Sequence, residues 1–329
     1  MQVNHTRRKF LALSAGAVAS GLLPLKAALG EGYPERDINL IVPYSPGSNP
    51  DIAARIVSEA LRIRMGQPFI INTRMGAGGS IGLGAAARSK PDGYNLVIGH
   101  IGGLSINPSV YASLPYDVEK DFVPVRQIYN SPLILLVAQN SPYKTVSDVL
   151  DAARARPGDL GFSSGGNGNG AHLSGELLAS LTGVKMRHIP YKSTSSALIA
   201  VANGDVDFSF GNLSLAVPLI DAGKLRALGF SGSPILEQLS DVPLVSDTVP
   251  GFSFHDWSGM LAPAGTPAAI VNRLSDEITK VLADEKVRKD LAVQGLIPVD
   301  SDPVKFKAFI AAEQKKWGAV ARSINLKLG

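Results

Sequence analysis

Two loops concentrate the residues with chemistry to offer. The first is Tyr44-Ser45-Pro46-Gly47-Ser48-Asn49, which lies between an apolar run, Ile38 to Pro43, and a helical pattern opened by Pro50. A helix start presents free backbone N–H groups and partial positive charge, so such a loop suits an anion. Gly47 lets the backbone approach a ligand, Ser45 and Ser48 add hydroxyl donors, and Asn49 reads as the helix N-cap. The second loop runs from Ser163 to Gly170 and sets Ser163, Ser164, Asn167 and Asn169 among glycines ahead of another helix. It offers many donors and little side-chain bulk. Either loop alone also fits an ordinary strand-to-helix turn. As a pair, one in each half of the chain, they point to a carboxylate held where open α/β sheets bind ligands, at the strand ends.

Other chemistries are weaker. Gly161-Phe162-Ser163-Ser164-Gly165 matches the serine-hydrolase pattern G-x-S-x-G, and Asp207 and His255 follow in the right order. That elbow needs a helix at once, whereas Gly166 to Gly170 intervene here. A secreted hydrolase using Ser163 is the alternative reading. Gly82-Leu83-Gly84-Ala85-Ala86-Ala87 matches a dinucleotide fingerprint, but His100 ends the next strand, where a ribose-binding acid is expected. There is no cysteine, and the five histidines show no H-x-x-x-H pair, so neither a thiolate site nor a helix-borne zinc site is implied. No cofactor is expected. Asp207 reads equally as a buried acid accepting a ligand donor and as a solvated acid in Asp205-Val206-Asp207. Trp257, Trp317 and His188 read as packing residues.

The elements that position these loops alternate between strand-length apolar runs and amphipathic helix-length stretches, the pattern of an α/β protein with mostly parallel sheets. Strands are expected at 38–43, 68–72, 95–99, 132–138, 160–163, 185–190, 206–210 and 256–262. Helices are expected from Pro50 and over 83–89, 146–155, 171–181, 195–202, 269–283, 285–294 and 303–322. At 329 residues the chain suggests two domains of about 100–200 residues each. Two α/β lobes are inferred, residues 31–131 with 256–329, and 132–255, with the chain crossing near 132–138 and returning near 256–262.

Residues 1–30 read as a processing segment. Arg7-Arg8 precede a run without charge from Phe10 to Leu25, shorter than a comfortable membrane span of about 20 residues, and small residues follow at Ala27, Ala28 and Gly30. A twin-arginine export signal is expected, with the mature chain starting between Ala28 and Tyr33 in the periplasm. Four of the 32 basic residues and none of the 28 acidic ones lie in that segment, leaving 28 of each. The mature chain is therefore near neutral, which removes the main support for a nucleic-acid or anionic-membrane partner. A monomer is expected.

With these segments in place the chain resembles the tripartite tricarboxylate transporter receptors, the Bordetella uptake gene (Bug) family. The resemblance is carried by Ile41-Val42-Pro43-Tyr44-Ser45-Pro46-Gly47 with Asp51 and Arg55, by Gly76-Ala77-Gly78-Gly79 with Ile81-Gly82, and by Lys90-Pro91-Asp92-Gly93-Tyr94. Leu114-Pro115-Tyr116-Asp117, His172-Leu173, Pro190-Tyr191-Lys192 and Trp257-Ser258-Gly259 with Pro263-Ala264-Gly265-Thr266-Pro267 extend it. No piece is specific alone; their order and spacing together are. The resemblance implies a periplasmic-binding-protein fold with two α/β lobes joined by two crossover segments and a ligand cleft between them. It also implies a carboxylate held by backbone amides, hydroxyls and waters, and membrane permease subunits as partners. Ser48, Asn49, Ser193 and Gly211 depart from the family pattern, and loop 163–172 is one residue longer. The expected ligand-binding set is Tyr44, Ser45, Gly47, Ser48, Gly79, Ser80, His100, Ser163, Ser164, Asn167, Asn169, Ser193 and Asp207.

Overall fold

The computed structural model describes residues 32–233, 239–323 and 326–327. The export segment expected over residues 1–30 lies outside them. The chain begins with β1 (Ile38–Val42), α1 (Asn49–Met65), β2 (Phe69–Thr73), α2 (Ser80–Ala87), β3 (Asn95–His100) and the short helices α3 (Asn107–Val110) and α4 (Val118–Asp121). A long strand, β4 (Phe122–Ala138), leads to α5 (Val146–Ala155), β5 (Gly161–Ser164), α6 (Gly170–Thr182), β6 (Arg187–Pro190) and α7 (Thr194–Asn203). Then come β7 (Phe208–Asn212), α8 (Leu213–Asp221), β8 (Leu225–Phe230) and α9 (Val245–Thr248). β9 (His255–Pro263) precedes α10 (Ala268–Ala283), α11 (Glu285–Val293), β10 (Ile297–Pro298) and α12 (Pro303–Ser323).

The strands follow the order β2-β1-β3-β9-β4-β7-β5-β6, with β10 and β8 also paired to β4. β1 is parallel to β2 and β3, and β5 is parallel to β6 and β7. Parallel strands covered by helices on both faces need apolar side chains on both, and Ile38, Leu40, Ile41 and Val42 are all buried. β4 and β9 run antiparallel between these sets. The register of β4 with β9 ends at Pro132 opposite His255; from Leu133 onward β4 pairs with β7, and from Ile134 with β8.

Ser231 ties the strands where the pairing changes. Its N–H donates to the Leu133 carbonyl at 2.8 Å, and its Oγ accepts from the Leu133 N–H and donates to the Phe254 carbonyl, both at 2.7 Å. The Phe254 N–H returns a bond to the Ser231 carbonyl at 2.9 Å. α12 supports this joint from behind. Trp317 meets Phe254 edge to face at 5.3 Å, Lys316 Nζ donates to the Ser253 carbonyl, and both indoles, Trp257 and Trp317, donate to Glu313 Oε2 at 2.9 Å.

Three sequence expectations change. β4 starts at Phe122 and not near 132; Arg126 and Gln127 are buried within it, and two register shifts break the alternation that marks a strand. Ser48, not Asn49, is the N-cap of α1, and it caps without a side-chain bond. Helix α8, with Pro218 inside it, strand β8 and helix α9 form between the strands expected at 206–210 and 256–262, where no element was expected. Among the described residues no helix is long and apolar enough to cross a membrane.

Candidate functional site

A cleft of about 360 Å³ lies where β4 passes from one strand set to the other. Tyr44, Gly47, Ser48, Asn49, Pro50, His100 and Asp256 line one side, Leu133 lies at the crossing, and Asn169, Gly170, Ala171, Thr194, Asn212, Ser214 and Leu215 line the other. No lysine or arginine is among them. The N-termini of α1, α6, α7 and α8 all reach this space.

On the first side the start of α1 is already engaged. The Gly47 N–H donates to Asp51 Oδ2 at 2.9 Å, and Arg55 clamps the same carboxylate at 2.9 and 3.0 Å. Gly47 holds φ at +78°, a left-handed conformation that disfavours any residue with a Cβ. The Ser48 N–H and Oγ both donate to the Ser45 carbonyl. The polarity of this wall therefore comes from side chains. His100 Nε2 binds Asp256 Oδ1, the Asn49 amide donates to Asp256 Oδ2 at 3.0 Å, and the Tyr129 hydroxyl lies 3.4 Å from the same oxygen. Burial is the largest single influence on Asp256 and pushes its carboxyl up. His100, with the bonds from Asn49 and Tyr129, outweighs burial and holds the group below the ordinary carboxylate value. The Tyr44 ring packs edge-on against His100 at 5.1 Å, and burial pushes its phenol well up.

On the second side helix starts do the presenting. Asn169 caps α6, its Oδ1 accepting the His172 N–H at 3.0 Å, which leaves its amide nitrogen as a donor. Gly170 and Ala171 follow in the first turn of α6, where N–H groups have no partner within the helix. Ser193 caps α7 through a reciprocal box with Ser196, so that Thr194 reaches the cleft. Asn212 precedes α8 and makes no cap bond of its own.

The glycine loop between β5 and α6 is fastened from behind. Ser164 Oγ lies 2.6 Å from His188 Nε2 and bonds both polar atoms of the Gly166 backbone. The Gly168 N–H donates to His172 Nδ1 at 2.9 Å, and the two imidazoles stack with centroids 3.8 Å apart. Burial, then the neighbouring His172, lowers the His188 pKa to about 4.

Of the residues expected at the ligand, Tyr44, Gly47, Ser48, His100 and Asn169 line the cleft. The others lie outside this lining. Ser163 is fully buried and its Oγ donates to the Ala197 carbonyl, while Ser164 serves the loop as described. Ser45, Asn167 and Ser193 are exposed outside the lining. Gly79 and Ser80 stand behind Tyr44: a Cβ on Gly79 would come within 2.9 Å of the Tyr44 ring, and Ser80 Oγ accepts from Asn107. Asp207 accepts the Gly161 N–H at 2.8 Å, at the opposite end of β5 from the glycine loop. The hydrolase trio does not assemble, since Ser163, Asp207 and His255 bond Ala197, Gly161 and Ser233 respectively. Asn49, Asp256, Thr194, Asn212 and Ser214 are cleft residues that sequence reasoning missed. Position just after a strand or just inside a helix start was the available signal for Thr194, Asn212 and Ser214. Asp256 offered none beyond its place in an apolar strand.

Two α/β strand sets joined by crossing strands, with a polar cleft at the joint, define the class: a two-lobed periplasmic-binding-protein fold. Within that class the chain belongs to the tripartite tricarboxylate transporter family receptors, whose model matches residues 53–326. It is 34% identical to Protein BugT of Bordetella pertussis, over 90% of this chain and 91% of that one. The structure of R. palustris Rpa4515 with adipate matches with a TM-score of 0.79 at 32% identity, covering 90% of this chain and 99% of that one. MatC from Rhodopseudomonas palustris with bound malate matches with a TM-score of 0.75 at 29% identity, covering 88% and 99%.

Proposed function

We propose that the protein captures a small carboxylate in the periplasm, for the permease subunits of a tripartite tricarboxylate-type transporter or for a sensor. The observation that carries this reading is the meeting of the N-termini of α6, α7 and α8 on one cleft without a lysine or arginine in its lining. A carboxylate there is held by backbone N–H groups and neutral side-chain donors, each such bond contributing about 1.5–3 kcal/mol. The adipate and malate bound by the two R. palustris relatives support a dicarboxylate-sized ligand. Asn169, Thr194, Asn212 and Ser214 are the proposed carboxylate contacts, with Tyr44, Ser48 and Asn49 closing from the other side.

The proposed lobes are residues 31–131 with 256–329, and 132–255. The change of β4 partners at Pro132 and Leu133 supports that division. The lobes close on the ligand about the Ser231 joint, and closure requires tighter binding to the closed form. Arg7-Arg8 ahead of an uncharged run supports twin-arginine export; a monomer is proposed with it.

Thermal-shift screening of the mature protein against dicarboxylates, tricarboxylates and aromatic acids tests the reading, run beside an ester-hydrolysis assay. A raised melting temperature with one acid class, matched by a dissociation constant from calorimetry, is expected. Ester turnover abolished by Ser163→Ala would overturn it in favour of a hydrolase.

A further inference from the structure

Asp256 is out of place in a plain anion site. It is 7% exposed, its side chain lines the cleft, and it bears a formal negative charge where the helix starts favour a negative ligand. Its partners are His100 Nε2 on Oδ1, and the Asn49 amide and the Tyr129 hydroxyl on Oδ2. The two oxygens of a carboxylate have room for roughly four bonds, more than these groups use.

The cleft is therefore dipolar across its width. Helix starts on the second lobe attract a carboxylate, and Asp256 on the first repels one. We infer that the ligand is a carboxylate that also carries a hydrogen-bond donor, an ammonium, amide or hydroxyl group, placed to bind Asp256. This rests on the carboxylate reading above and narrows it. A second ligand carboxylate set against this wall would meet a like charge in a poorly solvated site; an ammonium would meet its counter-ion. Asn49 and His100 are positioning residues, since each fixes one oxygen of the carboxylate. The three groups come from β9, the end of β3 and the start of α1, so the wall is preorganised by the fold of the first lobe.

Calorimetry on the mature protein with matched probes tests this: glutarate against L-glutamate and L-glutamine, and succinate against malate and L-aspartate. At least one donor-bearing probe should bind about tenfold or more tightly than its plain diacid, as one hydrogen bond to a charged group provides. In Asp256→Asn that preference should shrink to within about threefold, while the plain diacid binds as well as before or better. The ranking on the unaltered protein decides the matter even if the variant does not fold. Plain diacids binding as tightly as every donor-bearing partner would overturn the inference and leave the carboxylate reading standing. A donor preference that survives in folded Asp256→Asn would also overturn it. Failure of every probe to bind would overturn the carboxylate reading with it.

Discussion

Across the cleft, Asp256 faces the helix starts at Asn169, Thr194 and Asn212, and the two sides are built by different means. On the first lobe the N–H groups of Gly47 and Ser48 are spent on Asp51 and Ser45, and a side-chain network around Asp256 supplies the polarity. On the second lobe the arrangement is inverted. Ser163 turns inward to bond α7, Ser164, His172 and His188 hold the glycine loop, and the first turns of three helices face the ligand space. A loop rich in serine can thus be polar for the sake of its own rigidity. Its contribution to binding is then the backbone it holds in place and not the hydroxyls it displays.

The contrast can be broken from outside both walls. Trp317 is 1% exposed and braces the joint between the lobes through Phe254 and Glu313. Trp317→Ala should cost about 3–5 kcal/mol of stability, read by calorimetric unfolding, yet leave the ligand affinity of the folded fraction nearly unchanged. A smaller effect is expected from Gly170→Val, at the first position of α6. A Cβ there would lie 2.9 Å from Phe254 Cζ and 3.3 Å from Leu133 Cδ1. Overpacking of about 1–3 kcal/mol should appear in urea titration, together with weakened binding because the helix start is displaced.

A finer test sets Asn169→Ala against Ser163→Ala. The first removes a cap and a proposed ligand donor, so about 0.5–2 kcal/mol of stability and a measurable share of affinity should go together. The second removes only the bond to Ala197, so stability should fall by about 1 kcal/mol while affinity holds. Equal losses of affinity would erase the distinction between backbone-presenting and side-chain contacts on this wall.

A slope of stability with pH is also expected, its part near neutral pH arising in the second lobe. His188 has its pKa lowered from 6.5 to about 4 in the folded protein, so the unfolded chain takes up a proton first as the pH falls. The contribution is fully present above 6.5 and is lost progressively toward 4. Asp256, held below its ordinary 3.8, contributes stability that persists until the pH falls below that value. Melting temperatures followed from neutral pH downward should therefore decline through His188 together with His255, whose pKa burial also lowers, and His188→Gln should flatten part of that decline. An unchanged slope in the variant would place the titration elsewhere.

Much of the fold was legible because its signals are local. Strand–helix alternation, the glycine loops and the return strand at 256–262 follow from apolar runs and turn residues in short windows. The first half of β4 was hidden because Arg126, Gln127 and Asn130 interrupt the run and two bulges disturb the alternation. The site divided along the same line. Asn169 is legible as a cap beside its helix, and Tyr44, Gly47 and Ser48 as the loop after a strand.

What the sequence by itself determined is where helices begin near the ends of strands, since capping and turn chemistry act within a few residues. Which polar groups face a ligand was decided only by tertiary structure. Ser163 in β5 and Asn169 at the cap of α6 are six residues apart, yet one hydroxyl bonds within the lobe and the other residue lines the cleft, because β5 is covered by α7. Asp256 is held by His100 and Asn49, 156 and 207 residues away in the chain. No window of sequence contains that network, and its charge is kept in the cleft only because the folded sheet brings β9 between β3 and β4.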